Sequence, residues 1–349
     1  MSVEILKIVW ENRSGRISLC LLGLLCLGAV GAPFWAPYAV NEQNLENAFH
    51  PPVRLCWRNG HLCYRSYTKM AGGVGSYSRV PHSAVPVRWW VPVPVYRWMG
   101  IFPCRHRLWG PTEGQPFFLL GSDVLGRDVF SRLLFGSRIS LGVGWIGVTV
   151  TLVMGFTVGG LAGYWGGRWD FLSMRLVEFL MAIPALYLLL ALRSSVGVRF
   201  DSAHSYMMTV GLLSWIGWAS TARVVRGMAV SLAQRSFIAA AQALGQSPLK
   251  ILYQHFLPNL SSYLLVAATL SIPGYILGEA ALSFLGLGIQ EPSASWGLML
   301  KQTQEDLKVF MRNFWWLLSP GVAIFLTVMA FNLLGDVLRD AIDPKMRGK

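Results

Sequence analysis

The chain has 349 residues, with 30 Lys and Arg against 17 Asp and Glu, so its formal net charge is +13. Only 13% of the residues are charged and 54% are apolar, whereas soluble domains contain roughly 25% charged residues. This composition and the mean hydropathy of +0.46 exclude a disordered chain, argue against a water-soluble protein and indicate a membrane protein.

Apolar residues collect into windows long enough to cross a bilayer, which takes roughly 20 helical residues. Five windows contain no Lys, Arg, Asp or Glu: residues 17–40, 139–167, 202–222, 256–278 and 313–335. A sixth window, residues 171–192, crosses only if Arg175 and Glu178 enter the membrane with it. The sequence therefore predicts an all-α integral membrane protein with six transmembrane helices.

The first window, residues 17–40, follows Lys7, Arg13 and Arg16, as the apolar core of a secretory signal follows its basic residues. A cleaved signal has a core of roughly 7–15 residues, so this longer window predicts a retained anchor. Short loops rich in Lys and Arg face the cytoplasm, and six crossings place these loops and both termini on that side. We therefore expect a multi-pass protein of the cytoplasmic membrane.

Six crossings place the long segment of residues 41–120 outside the cytoplasm. It contains half of the chain's 18 prolines, and residues 85–95 combine Val, Pro and Trp in a pattern typical of extended or polyproline-like backbone. Asn59-Gly60 separates two short strand-like runs, which predicts a two-residue hairpin turn. Counting outward from this turn places Cys56 directly opposite Cys63.

The cysteines of this segment allow two interpretations. An oxidising exterior would permit a Cys56–Cys63 disulfide, although a hydrogen-bonded cross-strand pair holds the Cβ atoms further apart than a bridge prefers. A metal site built from Cys56, His61, Cys63, Cys104 and His106 is the other interpretation, but the spacing matches no standard zinc pattern. The sequence leaves the disulfide open and predicts no metal site.

Two pairs of opposite charge precede the second window. Asp123 stands four residues before Arg127, and Asp128 stands four residues before Arg132. Side chains at this spacing meet on one face of a helix. The pattern predicts a short amphipathic helix at the outer surface, with its charges in solvent and joined by weak ion pairs.

Small residues repeat every four positions along the second window, at Gly147, Thr151, Gly155, Gly159 and Gly163. Helices that carry small residues at this spacing approach each other closely and gain packing contacts that lipid does not match. We therefore predict a helix-packing face that includes Gly155, Gly159 and Gly163. The alternative is that glycine is simply common in spanning helices.

Glu178 and Glu279 lie inside or beside predicted spans, where a carboxylate is costly. Each is therefore expected to face protein, water or the membrane boundary. An inward carboxylate would line a transport pathway. The alternative is that each is a structural pair partner or lies at the interface.

Residues 231–259 connect two predicted spans on the cytoplasmic side. Helix-forming residues run to Leu244, and Gly245 can adopt the left-handed conformation that ends a helix. Ser247 followed by Pro248 is a typical helix start, and Pro258 is expected to end that second helix. The sequence therefore predicts a helix, a tight turn and a second helix.

This connection carries residues suited to contact with another protein. Small side chains let a partner approach the backbone, and larger apolar side chains supply anchors. The small residues are Ala239, Ala240, Ala241 and Ala243, and the anchors are Phe237, Ile238, Leu244, Leu249 and Leu252. The alternative is an ordinary connector that lies on the membrane surface.

No catalytic or nucleotide-binding motif is present. The only Gly-Lys pair is Gly348-Lys349, so the phosphate-binding G-x-x-x-x-G-K-[ST] loop is absent, as are H-E-x-x-H and G-x-S-x-G. The chain is therefore predicted not to be an enzyme, and no cofactor is expected. A partner or an ion gradient must supply any energy.

Four segments together resemble one family. Residues 231–259 resemble the EAA loop in the membrane subunits of binding-protein-dependent ABC importers. In that loop E-A-A-x-x-x-G is followed by Leu-Pro, and Gly245, Leu257 and Pro258 match the pattern. The sequences LGSDVLGRDVFSR at 120–132, GEAALSFLGLG at 278–288 and RDAIDP at 339–344 resemble the dipeptide, oligopeptide and nickel branch. The likeness covers residues 17–40 and roughly 120–344, in the same order.

The resemblance implies the second of the two permeases that such importers carry in the bacterial inner membrane. The expected partners are another permease, two ATP-binding subunits, an extracytoplasmic substrate-binding protein that delivers short peptides, and membrane lipid, with no nucleic acid. Residues 231–259 would be the ATPase-docking loop. Its expected contact residues are Phe237, Ala239, Ala240, Ala241, Ala243, Leu244, Gly245, Ser247 and Pro258.

Two features depart from the family pattern. Ala239 replaces the usual Glu of the EAA loop, so docking is expected to depend on shape and apolar area. The insertion is longer than in most relatives, and its role is open. The expected organisation is residues 1–40 for the N-terminus and first helix, 41–120 for an extracytoplasmic insertion, 121–344 for a permease core of five helices and 345–349 for a basic tail.

A gradient-driven transporter or channel is the alternative function. It predicts several buried acids along one pathway, whereas Glu178 and Glu279 are the only candidates, and it leaves the turn at Gly245 unexplained. We therefore expect the permease of an ATP-driven importer.

Overall fold

The computed structural model describes residues 2–58, 60–70, 75–81, 83–98, 101–112, 115–195, 202–305 and 314–342. Asn59 of the predicted turn and the predicted basic tail, residues 345–349, lie outside this part of the chain. Most of the described residues are helical. The helices are α1 (Ser2–Glu11), α2 (Arg13–Val30), α3 (Ala32–Trp35), α4 (Val129–Trp165), α5 (Gly167–Ala182), α6 (Ala185–Ser195), α7 (Ser202–Ala233), α8 (Ser236–Ala243), α9 (Pro248–Ile251), α10 (Leu257–Phe284), α11 (Trp296–Glu305) and α12 (Ser319–Ile342).

Four helical segments among the described residues are long and apolar enough to cross a membrane: Arg13–Val30, Val129–Trp165, Pro248–Phe284 and Trp315–Ile342. A fifth crossing is counted if Gly167–Ala182 and Leu186–Leu192, which meet at 94°, form one broken span. The expectation of one continuous helix over residues 171–192 is therefore wrong. Pro184 is the cause, because the residue before a proline is driven out of helical geometry, and Ile183 has φ −91° and ψ 128°.

Residues 55–110 contain β-structure, so the prediction of an all-α chain is wrong in this segment. The strands are β1 (Leu55–Arg58), β2 (His61–Tyr64), β3 (Tyr67–Lys69), β4 (Tyr77–Arg79), β5 (Val85–Pro86), β6 (Arg88–Trp98) and β7 (Phe102–Gly110). β1, β2 and β5 form a sheet in that order, and β3–β4 and β6–β7 form separate antiparallel pairs. The prolines of β6 are tolerated because each strand of a two-stranded ribbon has a free edge.

The predicted hairpin register is confirmed, since Cys56 lies opposite Cys63 in the β1–β2 pair. Gly60 has φ 79°, the left-handed geometry that a two-residue turn requires. The extended backbone predicted for residues 85–95 is also confirmed, as the strands β5 and β6.

The chain divides into two compact units. The first consists of Met1–Leu22, Gly142–Gly278 and Thr327–Lys349, and the second consists of Gly23–Leu141 and Glu279–Leu326. A core of the first unit includes Phe156, Val225, Ile238, Leu252 and Phe256. Cores of the second unit include Phe49, Val129, Met299 and Trp316 in one cluster and Val53, Tyr64, Val87 and Phe117 in another.

Candidate functional site

The turn of the predicted docking loop is built on Gly245. The Gly245 N–H donates to the Gln242 carbonyl at 2.9 Å, and the Gln246 N–H donates to the Ala241 carbonyl at 3.1 Å. This double closure of a helix end requires left-handed backbone, and Gly245 has φ 71°. The predicted end of the first helix is therefore confirmed.

The second helix of the loop begins as predicted but does not end as predicted. The Ser247 hydroxyl accepts a hydrogen bond from the Lys250 N–H and caps α9. Helical backbone then continues past Pro258, through a π turn at Leu252–Phe256, into α10. In the π turn the Leu257 N–H bonds a carbonyl five residues back, which opens the turn and relieves the clash a proline makes in a regular helix. The expectation that Pro258 ends the helix is wrong.

The loop has a buried inner face. Ile238, Ala241 and Leu252 are buried and join a core with Phe156 of α4 and Val225 of α7. These three predicted contact residues therefore hold the loop against the rest of the first unit. They are not available to a partner.

The outer face of the loop is apolar and exposed. It carries Phe237 and Leu244 at the two ends of α8 and Leu249 in α9, and Leu244 is 80% exposed. Three small residues between them, Ala239, Ala240 and Ala243, are exposed as well. An exposed cluster of this kind on a rigid helical turn is typical of a protein contact surface.

The glycines of α4 meet α7 at close range. A Cβ atom added to Gly155 would lie 2.7 Å from Thr221 Cβ, and one added to Gly163 would lie 2.6 Å from Ala229 Cβ. A Cβ atom on Gly159 would clash with the Ala222 carbonyl oxygen. The close approach of these three glycines is therefore to another helix of the same unit.

The other members of the repeat contact α10 as well as α7, since the Ser214 hydroxyl of α7 donates to the Gly147 carbonyl at 3.2 Å. A Cβ atom on Gly147 would clash with the ring of Tyr275 in α10, and the Thr151 hydroxyl hydrogen-bonds the Tyr275 hydroxyl. A four-residue repeat drifts by about 40° per step around a helix, so positions 147 and 163 differ by about 160°. The repeat therefore packs on α7 along its length and additionally on α10 at Gly147 and Thr151.

Glu279 of α10 is fully buried among hydroxyl groups. Ser140 Oγ donates to its Oε2 at 3.0 Å, and Ser283 Oγ donates to its Oε1 at 2.7 Å. Ser140 Oγ also accepts the backbone N–H of Trp296 at 3.2 Å. Both oxygens of the carboxyl group therefore have a donor, which offsets part of the cost of its burial.

Glu178 of α5 is exposed and accepts a hydrogen bond from Arg175 Nη1 at 2.8 Å. The two charges of the predicted sixth window thus form an i,i+3 ion pair. Glu178 belongs to the first compact unit and Glu279 to the second.

The charges before α4 do not form the predicted solvent-exposed helix. Residues 121–128 are turns and extended backbone, and all four charged side chains of the segment are buried. Arg127 Nε donates to Asp123 Oδ2 at 2.7 Å, whereas Asp128 accepts hydrogen bonds from Ser131. Burial raises the pKa of Asp128 to about 7, against the opposing effect of those bonds. The prediction of weak pairs in solvent is wrong.

Two distant residues complete this buried charge network. Glu291 Oε1 accepts from Arg127 Nη1 at 2.7 Å and from Arg132 Nη2 at 3.2 Å. Gln302 Oε1 accepts from the same two guanidinium groups at 3.1 and 3.3 Å. Burial acts to raise the pKa of Glu291, but Arg132, Gln302 and Arg127 together outweigh it and hold that pKa below its usual value.

Sequence reasoning missed Glu291 and Gln302 because helical spacing supplies partners only within one turn. The sequence does contain one signal. If Asp128 caps α4, the two cations Arg127 and Arg132 are left with a single local carboxylate, Asp123. Two buried guanidinium groups require further acceptors from elsewhere in the chain.

In the β1–β2 hairpin, Cys56 and Cys63 form a disulfide with their Cα atoms 5.0 Å apart. The structure therefore decides the question that the sequence left open. Within the described residues no three His, Cys, Asp or Glu side chains are arranged to hold a metal ion, and Cys104 is a free thiol.

Two family models match the chain. Residues 155–348 match the binding-protein-dependent transport system inner membrane component, and residues 4–52 match the N-terminal TM domain of oligopeptide transport permease C. The first match covers more than half of the chain. Residues 53–154, which include all the described strands, lie between the two matches.

Curated relatives are similar over about two thirds of the chain. The dipeptide transport system permease protein DppC of Bacillus subtilis is 40% identical over 68% of this chain and 71% of its own length. The oligopeptide transport system permease protein OppC of Haemophilus influenzae is 39% identical over 68% and 73%. The glutathione transport system permease protein GsiD of Pectobacterium atrosepticum is 41% identical over 68% and 75%.

The first of the two family matches includes Gly155, Gly159 and Gly163 of α4, the predicted docking loop and α10. The matches agree with the apolar helices and the motifs at Gly245 and Leu257-Pro258. The chain therefore belongs to the family of binding-protein-dependent transport system inner membrane components and is a non-enzymatic, membrane-spanning permease subunit of an ATP-driven importer.

Proposed function

We propose that the chain is the second permease of an importer that passes short peptides across the bacterial inner membrane. The names of the relatives, which include dipeptide, di/tripeptide and oligopeptide permeases, support this substrate class. The partners are another permease, two ATP-binding subunits and an external substrate-binding protein. Glu178 and Glu279 as pathway residues stay a prediction.

We further propose six crossings, with both termini in the cytoplasm. Four apolar helical segments and the bent pair supply up to five crossings. α7 is the proposed sixth crossing. It is not among the four segments of highest hydropathy, but its residues 202–222 contain no Lys, Arg, Asp or Glu, and its 32 residues span about 48 Å, more than the roughly 30 Å of a hydrocarbon core. In this arrangement residues 1–40 carry the first span, 41–120 lie outside, 121–344 form the core and 345–349 are a cytoplasmic tail.

The orientation is tested by cysteine labelling in intact cells. Leu45, which is 67% exposed, and Ser236, which is exposed at the start of α8, are suitable positions. We expect an impermeant thiol reagent to label Leu45→Cys from outside and Ser236→Cys only after permeabilisation. Labelling of both from the same side would contradict the proposed orientation.

The single observation that carries the coupling role is the two-sided loop of residues 231–259. Its inner face is buried in the core with α4 and α7, and its outer face exposes Phe237, Leu244 and Leu249. The buried inner face fixes the loop to the spanning helices, and the exposed outer face gives an ATPase a surface to bind. Movement of the bound ATPase is therefore passed to the helices through this loop. Because Ala239 carries no charge, the contact is expected to depend little on salt.

The docking role is tested with Leu244→Asp, which places a charge in an apolar contact. We expect the purified complex to lose its ATPase subunits and the cells to lose peptide uptake. Gln234→Glu is the matched control, because it adds the same charge at an exposed polar position of the same loop. Equal retention of the ATPase by both variants would identify the loop as a mere connector.

A further inference from the structure

The β6–β7 hairpin is fastened to the outer end of the first span. The indole N–H of Trp98 donates to the Val30 carbonyl at 2.8 Å, and that of Trp109 donates to the Trp35 carbonyl at 2.7 Å. Arg107 donates to a third carbonyl, that of Pro37, at 2.9 Å. These bonds use carbonyls at and beyond the end of α2, where a helix leaves them without internal partners.

This attachment places the tip of the hairpin at membrane depth. Val30 lies 14 residues after Arg16, the last charge before the apolar window. At about 1.5 Å per residue it stands about 21 Å along the helix from Arg16, so it approaches the outer boundary of a hydrocarbon core of about 30 Å. Trp98 is the last residue of β6, so this residue and Phe102, which pairs with it, lie at the level of the outer leaflet.

The residues around that tip are apolar and exposed. Ile101 is 72% exposed and Phe102 is 58% exposed, and Phe102 pairs with Trp98 across the hairpin. Further along, Trp90 and Val95 are also exposed, beside a groove of about 700 Å³. Aromatic residues are enriched at membrane interfaces because their rings are apolar and their N–H or O–H groups are polar.

The charge of the hairpin matches a phospholipid surface. Between positions 88 and 110 the chain carries Arg88, Arg97, Arg105 and Arg107 and no Asp or Glu. Arginine side chains near an anionic membrane surface are attracted to its phosphates.

We propose that the β6–β7 hairpin is a lipid anchor, with Ile101 and Phe102 inserted in the outer leaflet and the exposed Arg97 and Arg105 on the phosphates of anionic phospholipids. The anchor rests on the proposed orientation, in which residues 41–120 lie outside. It gives the insertion a role, because the hairpin braces the first span against the bilayer.

The test measures contact of the tip with lipid in the full-length protein. In a background with Cys20→Ser, Cys26→Ser and Cys104→Ser, which keeps the Cys56–Cys63 disulfide, a fluorophore is attached at Ile101→Cys or Phe102→Cys. The protein is reconstituted in vesicles of phosphatidylethanolamine and phosphatidylglycerol that contain nitroxide-labelled lipid. Leu45→Cys, at an exposed apolar residue outside the hairpin, is the matched control.

We expect quenching at both tip positions to exceed that at Leu45 by about twofold or more, because a nitroxide quenches only fluorophores that reach the lipid. Replacing phosphatidylglycerol by phosphatidylcholine should weaken the tip quenching, and Arg97→Gln with Arg105→Gln should abolish that lipid dependence.

Quenching at the tip no greater than at Leu45 would overturn the anchor and leave an external protein as the occupant of the surface. The orientation fails separately, if Leu45→Cys is labelled only from the cytoplasmic side. If tip quenching is the same with phosphatidylglycerol and with phosphatidylcholine, in the parent and in the Arg97→Gln, Arg105→Gln protein, the proposed binding of anionic phospholipid is wrong.

Discussion

Arg127 Nη1 donates a hydrogen bond to Glu291 Oε1 at 2.7 Å, across 164 positions of sequence. The Arg127 side chain is 2% exposed, so its charge is balanced by Glu291 and Asp123 and hardly at all by water. The bond joins the segment before α4 to the segment between α10 and α11, both within the second compact unit.

Removing this guanidinium is expected to be costly. Arg127→Met leaves Asp123 without its closest partner and should destabilise the protein by about 3–5 kcal/mol. Arg175→Met is the control, because it breaks the solvent-exposed pair with Glu178 and should cost less than about 1 kcal/mol. Thermal unfolding of the purified variants measures both stability losses. Equal losses would show that the buried network stabilises the protein no more than the exposed pair does.

The packing of α4 on α7 predicts the effect of filling a glycine position. Gly159→Leu forces a side chain against the Ala222 backbone and should cost about 1–3 kcal/mol or more, with loss of uptake. Gly211→Leu in α7 meets open space and should leave both properties unchanged. Melting temperature and uptake are measured together, and a Gly159→Leu protein that behaves like the control would refute the close packing.

The backbone of Gly245 predicts a different pattern of tolerance. Nothing lies within 4 Å of a Cβ atom at this position, so any effect comes from its φ of 71°. Gly245→Val should strain the turn by about 1–3 kcal/mol and reduce ATPase binding, whereas Gly245→Asn should be tolerated because Asn adopts left-handed backbone. Co-purification with the ATPase ranks the variants, and Asn as damaging as Val would contradict the conformational cause.

His50 predicts a pH dependence of stability. Its Nδ1–H donates to the Pro51 carbonyl at 2.7 Å, and its ring packs against those of Tyr67, Tyr77 and Phe118. Burial lowers the pKa of His50 to about 4, against the opposing effect of the Pro51 bond. The ordinary pKa of histidine is 6.5, so between pH 6.5 and about 4 the folded state binds fewer protons than the unfolded state. The stability present above pH 6.5 is therefore lost as the pH falls towards 4.

The test compares His50→Gln with the parent protein between pH 7 and pH 5. We expect the parent to lose roughly 2 kcal/mol through His50 over this range and the variant to lack that loss. Asp128, whose pKa burial raises to about 7, has the opposite slope, so only the difference between variant and parent measures His50. His106→Gln, at an exposed histidine, is the control, and identical profiles for all three proteins would contradict the assignment.

Local chemistry in the sequence was sufficient for several features. Long uncharged windows predicted the apolar helices, because crossing a bilayer depends on length and hydropathy alone. Gly245, Ser247 and the Asn-Gly pair predicted two turns, because backbone geometry at such sites depends on the residues themselves. The family likeness rested on the same short segments.

Tertiary structure alone decided which residues those features meet. Helical spacing predicted the contact of Asp123 with Arg127, which forms within a turn, but could not supply Glu291, because a buried charge takes partners from wherever the fold brings them. The glycine repeat of α4 meets Tyr275 of α10 only at its first members, because the helix rotates relative to a four-residue period. The inner face of the predicted docking loop is unavailable to partners because packing against α4 and α7 determines which side of this short helix is buried.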